Sequence, residues 1–160
     1  LSDPGLDVVA RSNDLDMYPE LGYDSQNFVY EELMVHLGQD SDFDSETGTY
    51  LEAVPVTLAR FPKDWQSRAI RESIGSVTIG GSLRPVNAIY PEIHDLTVSK
   101  VAIRRQKDLE FLEGVVRLGL VDKATLRDRY QQAPRLTQER LIEGLADIDE
   151  AFARRENRPS

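Results

Sequence analysis

"HDLTVSKVAIRRQKDLEFLEGVVRLGLVDKATLRDR", residues 94–129, is where the chain changes character. From Glu92 onward the apolar residues recur at helical spacing, whereas upstream they come in short runs punctuated by Gly and Pro. "HDLTVSKVAIRR" (94–105) and "KDLEFLEGVVRLGL" (107–120) read as two helices or one bent helix, ending at Gly119. Asp122 is a natural N-cap for "KATLRDRYQQ" (123–132). Thr137 does the same for a long amphipathic helix, "QERLIEGLADIDEAFARR" (138–155), before the polar tail "ENRPS" frays.

Working back from that point, "SNDLDMYP" (12–19) alternates apolar and polar residues and reads as a short strand stopped by Pro19. Ser25 suits the N-cap of "QNFVYEELMVHLG" (26–38), whose Phe28, Val29, Leu33 and Leu37 share a helical face and whose Gly38 is a plausible stop. "QDSDFDSETG" (39–48) reads as a polar loop, and "TYLEAVPVTLARF" (49–61) as a strand pair or bent strand interrupted by Pro55. "PKDWQSRAIRES" (62–73) is expected to form a short helix with Pro62 at its start. "IGSVTIGGSLRP" (74–85) reads as a turn within a hairpin, and "VNAIYP" (86–91) as a further short strand. Strands first and helices after is an α+β layout: a core over residues 1–91, with the helices of 92–155 packed on it as one structural unit.

Composition narrows the function classes. A chain of 160 residues with 40% hydrophobic and 29% charged residues suits one folded domain with a core. The absence of cysteine removes disulfides and thiol chemistry, and only two histidines make a zinc cluster a poor expectation. No apolar run reaches membrane-spanning length and the first residues do not read as a signal peptide, so the expected location is the cytoplasm. A net charge of −9 argues against non-specific DNA or RNA binding but not against a nucleotide carried with a divalent cation. Residues 1–50 are rich in Asp and Glu, whereas most Arg and Lys follow residue 59. That split suits a metal on one wall and phosphate on the other, and it equally suits plain solubility.

Two clusters carry chemistry. In a strand, Asp14 and Asp16 point to the same face roughly 6–7 Å apart, with Leu15 on the other. Like charges at that spacing need solvent or a cation, and paired hard oxygens suit Mg²⁺. An isolated D-x-D is more often a solvated strand end. In "SKVAIRRQKD" (99–108), Lys100, Arg104 and Lys107 fall at helical spacings of four and three, and so share one face of a continuous helix. They read as phosphate contacts or as a solvated face. "DSDFDSETG" (40–48) fails as a calcium loop, with Ser45 in place of the required Gly and Leu51 in place of the final Glu. The glycines of "GSVTIGGS" (75–82) match neither a P-loop nor a dinucleotide fingerprint, and His36 and His94 pair with no nucleophile.

Taken in order, "ARSNDLDMYPE" (10–20), "GQDSDFDSETGTYLEAV" (38–54) and residues 94–129 resemble the DUF6036-type nucleotidyltransferases. These belong to the DNA polymerase β-like nucleotidyltransferase superfamily and are related to the AbiEii-type toxins. The resemblance spans roughly residues 10–145 and rests on the order of the blocks. It implies a nucleotidyltransferase-like mixed sheet flanked by helices, with a helical C-terminal section. It also implies a Mg²⁺- or Mn²⁺-dependent transfer of a nucleoside monophosphate from an NTP to a hydroxyl on RNA, protein or a small molecule. By that resemblance Asp14 and Asp16 are metal ligands, with Glu52 as a third carboxylate from a neighbouring strand. Lys100 touches the nucleotide's phosphates with support from Arg105 or Lys107, and Asp108 lies near the active site. One feature departs from the pattern. The family's Gly-Ser motif precedes the acidic pair, yet none of the thirteen residues before Asp14 supplies it, and Gly80-Gly81-Ser82 follows instead. Either a preceding helix and loop lie outside this chain, or the motif is lost and the protein is an inactive, partner-binding module of toxin–antitoxin type.

Overall fold

The computed structural model describes residues 14–17, 34–53, 58–79 and 81–157. The chain divides into two compact units, 1–59 and 60–160, so the strands of the expected core fall on both sides of the division.

The second unit is built on helical periodicity. Helices α3 (Ile93–Ile103), α4 (Gln106–Arg117), α5 (Lys123–Gln131) and α6 (Gln138–Glu156) follow shorter ones, among them α1 (Asp42–Thr47) in the first unit and α2 (Trp65–Arg68). α3 packs against α4 and α5, and α6 lies across both. Val98 and Val101 of α3, Leu112, Val115 and Val116 of α4, Leu126 and Tyr130 of α5, and Ile148 and Phe152 of α6 are buried together as the core. Burial of apolar side chains at about 1.5–3 kcal/mol each dominates the stability of such a bundle.

The ends of these helices follow local chemistry. α3 and α4 are two helices rather than one bent helix because Arg104 adopts the left-handed conformation at φ 64°, with its N–H on Lys100 O. A non-glycine residue there is strained, and ion pairs from α6 hold it in place: Arg104 reaches Asp147 at 2.6 Å and Glu143 at 3.5 Å. α4 ends where Gly119 takes φ 71°. Its N–H bonds Val116 O at 3.1 Å and the next, Leu120 N–H, bonds Val115 O at 3.0 Å, which closes the open carbonyls of the last turn. Asp122 caps α5 through Thr125 N, and Thr137 caps α6 through Arg140 N, as the sequence implies.

Two readings upstream need correction. Residues 70–73 are not helical: α2 ends at Arg68, and Ile70–Ile79 forms strand β3 of a hairpin with β4, Ser82–Tyr90. Five β-branched residues in IRESIGSVTI favour that outcome. The turn falls within the expected Gly-rich stretch, and a bulge between Ser73 and Gly75 breaks the register. Pro85 lies within β4, where it removes one ladder donor. The second correction is α1. Ser41 accepts a hydrogen bond from Asp44 N and Gly48 closes the C-terminus at φ 69°, so the supposed polar loop is a capped helix.

In the first unit β1 (Asp14–Met17) pairs in parallel with β2 (Tyr50–Ala53). A parallel pair requires a crossover connection rather than a tight hairpin turn. Residues 34–37 are helical, in the last part of the helix expected over 26–38; Ser25, Phe28, Val29 and Leu33 lie outside the described residues. Among the described residues the strands form two separate two-stranded sheets, one parallel and one antiparallel, rather than one mixed sheet. The fold is α+β with a helical C-terminal section. No helix among the described residues is long and apolar enough to cross a membrane.

Candidate functional site

Of the acidic candidates of the first unit, Asp16 and Glu52 stand opposite each other across the parallel pair. Asp16 stands in register with Glu52, and Asp14 with Tyr50. Asp16 and Glu52 are both exposed. Adjacent strands lie about 4.8 Å apart, so in-register side chains on neighbouring strands are close neighbours. Two carboxylates at that separation repel unless a cation or solvent screens them. They are also the hard oxygen donors that Mg²⁺ or Mn²⁺ prefers, with its remaining positions left to water and phosphate. Among the described residues no group of three or more His, Asp or Glu side chains is gathered to hold a metal.

The basic candidates lie in the second unit, and the break at Arg104 separates them. Lys100 occupies the last turn of α3, half-buried, whereas Lys107 lies exposed in the first turn of α4. Lys100, Arg104 and Lys107 therefore do not share one helix face, because α3 stops at Ile103 and Arg104 turns to Asp147. Asp108 is fully buried, and both its oxygens are engaged within the first turn of α4. Oδ2 accepts from Arg105 N and from Arg105 Nε, each at 2.9 Å, and Oδ1 accepts from Arg105 Nη2 at 3.2 Å. Asp108 and Arg105 thus hold each other: the carboxylate satisfies an open backbone donor at the helix start and neutralises the guanidinium.

Among the described residues, the densest polar constellation is one that sequence reasoning did not assemble. Asp95, in the first turn of α3, is fully buried. Arg68 grips it with two bonds, Nε to Oδ2 at 2.9 Å and Nη2 to Oδ1 at 3.1 Å. Arg129 of α5 adds a third, Nη1 to Oδ1 at 3.1 Å, and also pairs with Glu92. Glu92 is the N-cap of α3 and lies 2.7 Å from His94 Nδ1. His94 Nε2 in turn accepts from Asp122 N at 3.0 Å. A buried carboxylate is tolerable only when paired and hydrogen-bonded in this way. Burial works to raise the Glu92 carboxyl, but hydrogen bonds from His94 and Arg129 hold it below its ordinary value. The Asp95 carboxylate raises the Arg68 guanidinium above its ordinary value through their hydrogen bond. In sequence the only visible signals were Asp95 in a first turn and a histidine; the arginines come from 27 residues before and 34 after.

A shallow groove of about 240 Å³ between α4 and α6 is lined by Leu109, Leu112, Glu113, Glu150, Ala151 and Arg154 among others. Arg154 pairs with Glu113 across it and with Glu150 one turn earlier on its own helix, so one guanidinium is shared between the two carboxylates. No family model, curated protein or solved structure matches the chain.

Proposed function

We propose that the protein is a metal-dependent nucleotidyltransferase that moves a nucleoside monophosphate from an NTP to a hydroxyl acceptor on RNA, protein or a small molecule. The observation that carries this reading is the register of β1 on β2, which sets the exposed Asp16 beside the exposed Glu52. Adjacent strands presenting acidic residues of the resemblance's ligand set are what such a site requires, and the resemblance assigns Asp14 to the same set. These oxygen donors fit Mg²⁺ or Mn²⁺, which when bound supplies charge neutralisation to triphosphate oxygens. Lys100 is the residue assigned to phosphate, as a point charge on a flexible stem, with Lys107 and Arg105 in support. The reading places the protein in the cytoplasm.

A second reading is favoured by one observation. Asp108 and Arg105, two of the assigned site residues, satisfy each other in the α4 cap. That geometry suits a nucleotidyltransferase-like module without catalysis, acting by binding a protein partner.

Isothermal titration of each NTP with Mg²⁺, into the parent and into Asp16→Asn, separates the two. Metal-dependent binding that is lost in the variant supports the enzyme. Equal binding in both proteins removes Asp16 from the site, and absence of binding in the parent leaves the partner module.

A further inference from the structure

His94 touches two helices through its two ring nitrogens. Nδ1 lies 2.7 Å from Glu92 Oε1, at the start of α3. Nε2 lies 3.0 Å from Asp122 N and 3.2 Å from Asp122 Oδ2, at the start of α5. A backbone N–H can only donate, so Nε2 must offer its lone pair to hold it; the ring proton then sits on Nδ1, facing Glu92. An ionised carboxylate can only accept, so Asp122 Oδ2 bonds the ring only when Nε2 carries a proton. One nitrogen thus faces two partners on the same residue, and a single proton selects between them.

We propose that His94 is a pH-sensitive switch at the junction of α3 and α5. Neutral, it holds the backbone N–H of Asp122. Protonated, it releases that N–H and pairs with the Asp122 carboxylate, linking it to Glu92 through the imidazolium.

The charged surroundings accommodate both states. The ring lies between Glu92, which caps α3, and Asp122, which caps α5; Glu92 pairs in turn with Arg129 of α5, which with Arg68 of α2 holds Asp95. The two side chains that touch the ring are both carboxylates, and either can pair with an imidazolium. The cap of α5 survives the exchange, because Asp122 Oδ1 accepts from Thr125 N at 2.8 Å while Oδ2 turns to the ring. What changes is the hold on the connection from α4, where Val121 is buried and Leu120 exposed. Its backbone is tied to α3 in the neutral state, and only its side chain is tied in the charged one.

The test is a ¹⁵N NMR titration of the full chain, following the His94 ring nitrogens and the Asp122 amide together. The expected result is the Nδ1–H tautomer at high pH, and an Asp122 amide shift that follows the ring with one midpoint. Exchange of that amide, corrected for its intrinsic pH dependence, rises about tenfold across the transition. The Nε2–H tautomer at high pH, or an Asp122 amide indifferent to the ring, overturns the proposal.

Discussion

Arg104 and Asp147 are joined across 43 residues of sequence by two hydrogen bonds, Nε to Oδ2 at 2.6 Å and Nη2 to Oδ1 at 3.2 Å. The pair fixes the break between α3 and α4. Arg104 takes a left-handed backbone that favours glycine, and its side chain is what recovers the cost. Hydrogen bonding to Asp147 raises the guanidinium above its ordinary value. Both groups retain some solvent exposure, so the net worth is discounted to about 1 kcal/mol. Asp147→Ala should therefore lower unfolding free energy by about 1–2 kcal/mol in urea, since it leaves the strained turn unsupported. Arg104→Gly loses the same pair but relieves the strain, and should cost less. Equal losses in the two variants would mean that the backbone strain contributes nothing.

Asp108 offers a direct contrast between architecture and chemistry. Its oxygens are committed to Arg105, so removing them should appear first as lost stability. Asp108→Ala is expected to cost about 1–2 kcal/mol, the range for deleting a helix cap with a charged partner. Asp108→Asn keeps one acceptor and should cost less. If NTP binding is found in the parent, it should persist in Asp108→Asn measured well below its melting temperature. Loss of binding with full stability would return Asp108 to the site.

The helix ends were the most legible part of the fold, because they are decided locally. Asp122, Thr137 and Gly119 each act within three or four residues of themselves, and each was readable from residue type and position. The hairpin was only half legible. Residues 62–73 begin with a helix signal at Pro62, and the switch to strand at Ile70 depends on pairing with Tyr90, twenty residues later. α1 was misread because Asp and Ser, which favour loops, also cap helices, and only the Ser41 bond to Asp44 N distinguishes the two. For the candidate site, the alternation in "DLD" did mark a strand, and Glu52 did fall on its neighbour. The face assigned to Lys100, Arg104 and Lys107 assumed an unbroken helix, which a non-glycine residue at positive φ interrupts without any sequence signal. The Asp95 network was illegible for a different reason: Arg68 and Arg129 reach it only through the packing of separate helices.

Close packing makes Gly144 a sensitive position. α5 and α6 approach where Tyr130 lies against it, fully buried, with its hydroxyl donating to Arg140 O at 2.8 Å. A Cβ at Gly144 would meet Tyr130 Oη at 2.1 Å and Cζ at 2.3 Å, both far inside van der Waals contact. Gly144→Ala should thus destabilise by about 1–3 kcal/mol, despite alanine's better helix propensity. Tyr130→Phe removes only the hydrogen bond and should cost about 1 kcal/mol. Denaturation of both variants checks this, and a stabilised Gly144→Ala would mean that the two helices are further apart than described.

Acid should weaken the bundle through a small set of carboxylates. Glu92 is held below its ordinary value by His94 and Arg129 against the opposing effect of burial. Asp122 is lowered by hydrogen bonding from Thr125, and Asp149 by hydrogen bonding from Lys123 and then Arg127. A carboxyl whose folded value lies below its unfolded one binds protons more weakly in the native state. Its contribution is fully present above the unfolded value, about 3.9 for Asp and 4.3 for Glu, and is lost as pH falls through the folded value. Unfolding free energy should accordingly hold steady from neutral pH to about pH 5, as far as these groups are concerned, and decline below it. Asp122 is exposed and Asp149 half-exposed, whereas Glu92 is the most buried of the three, so the share most resistant to salt should come from Glu92. Arg129→Gln removes one of the two groups that hold Glu92 down and leaves Asp95 with Arg68 alone. That variant should be less stable at neutral pH and show a shallower acid decline than the parent. Urea unfolding of both proteins between about pH 3 and pH 7 reads the two slopes, and parallel curves would show that Arg129 has no part in the acid sensitivity.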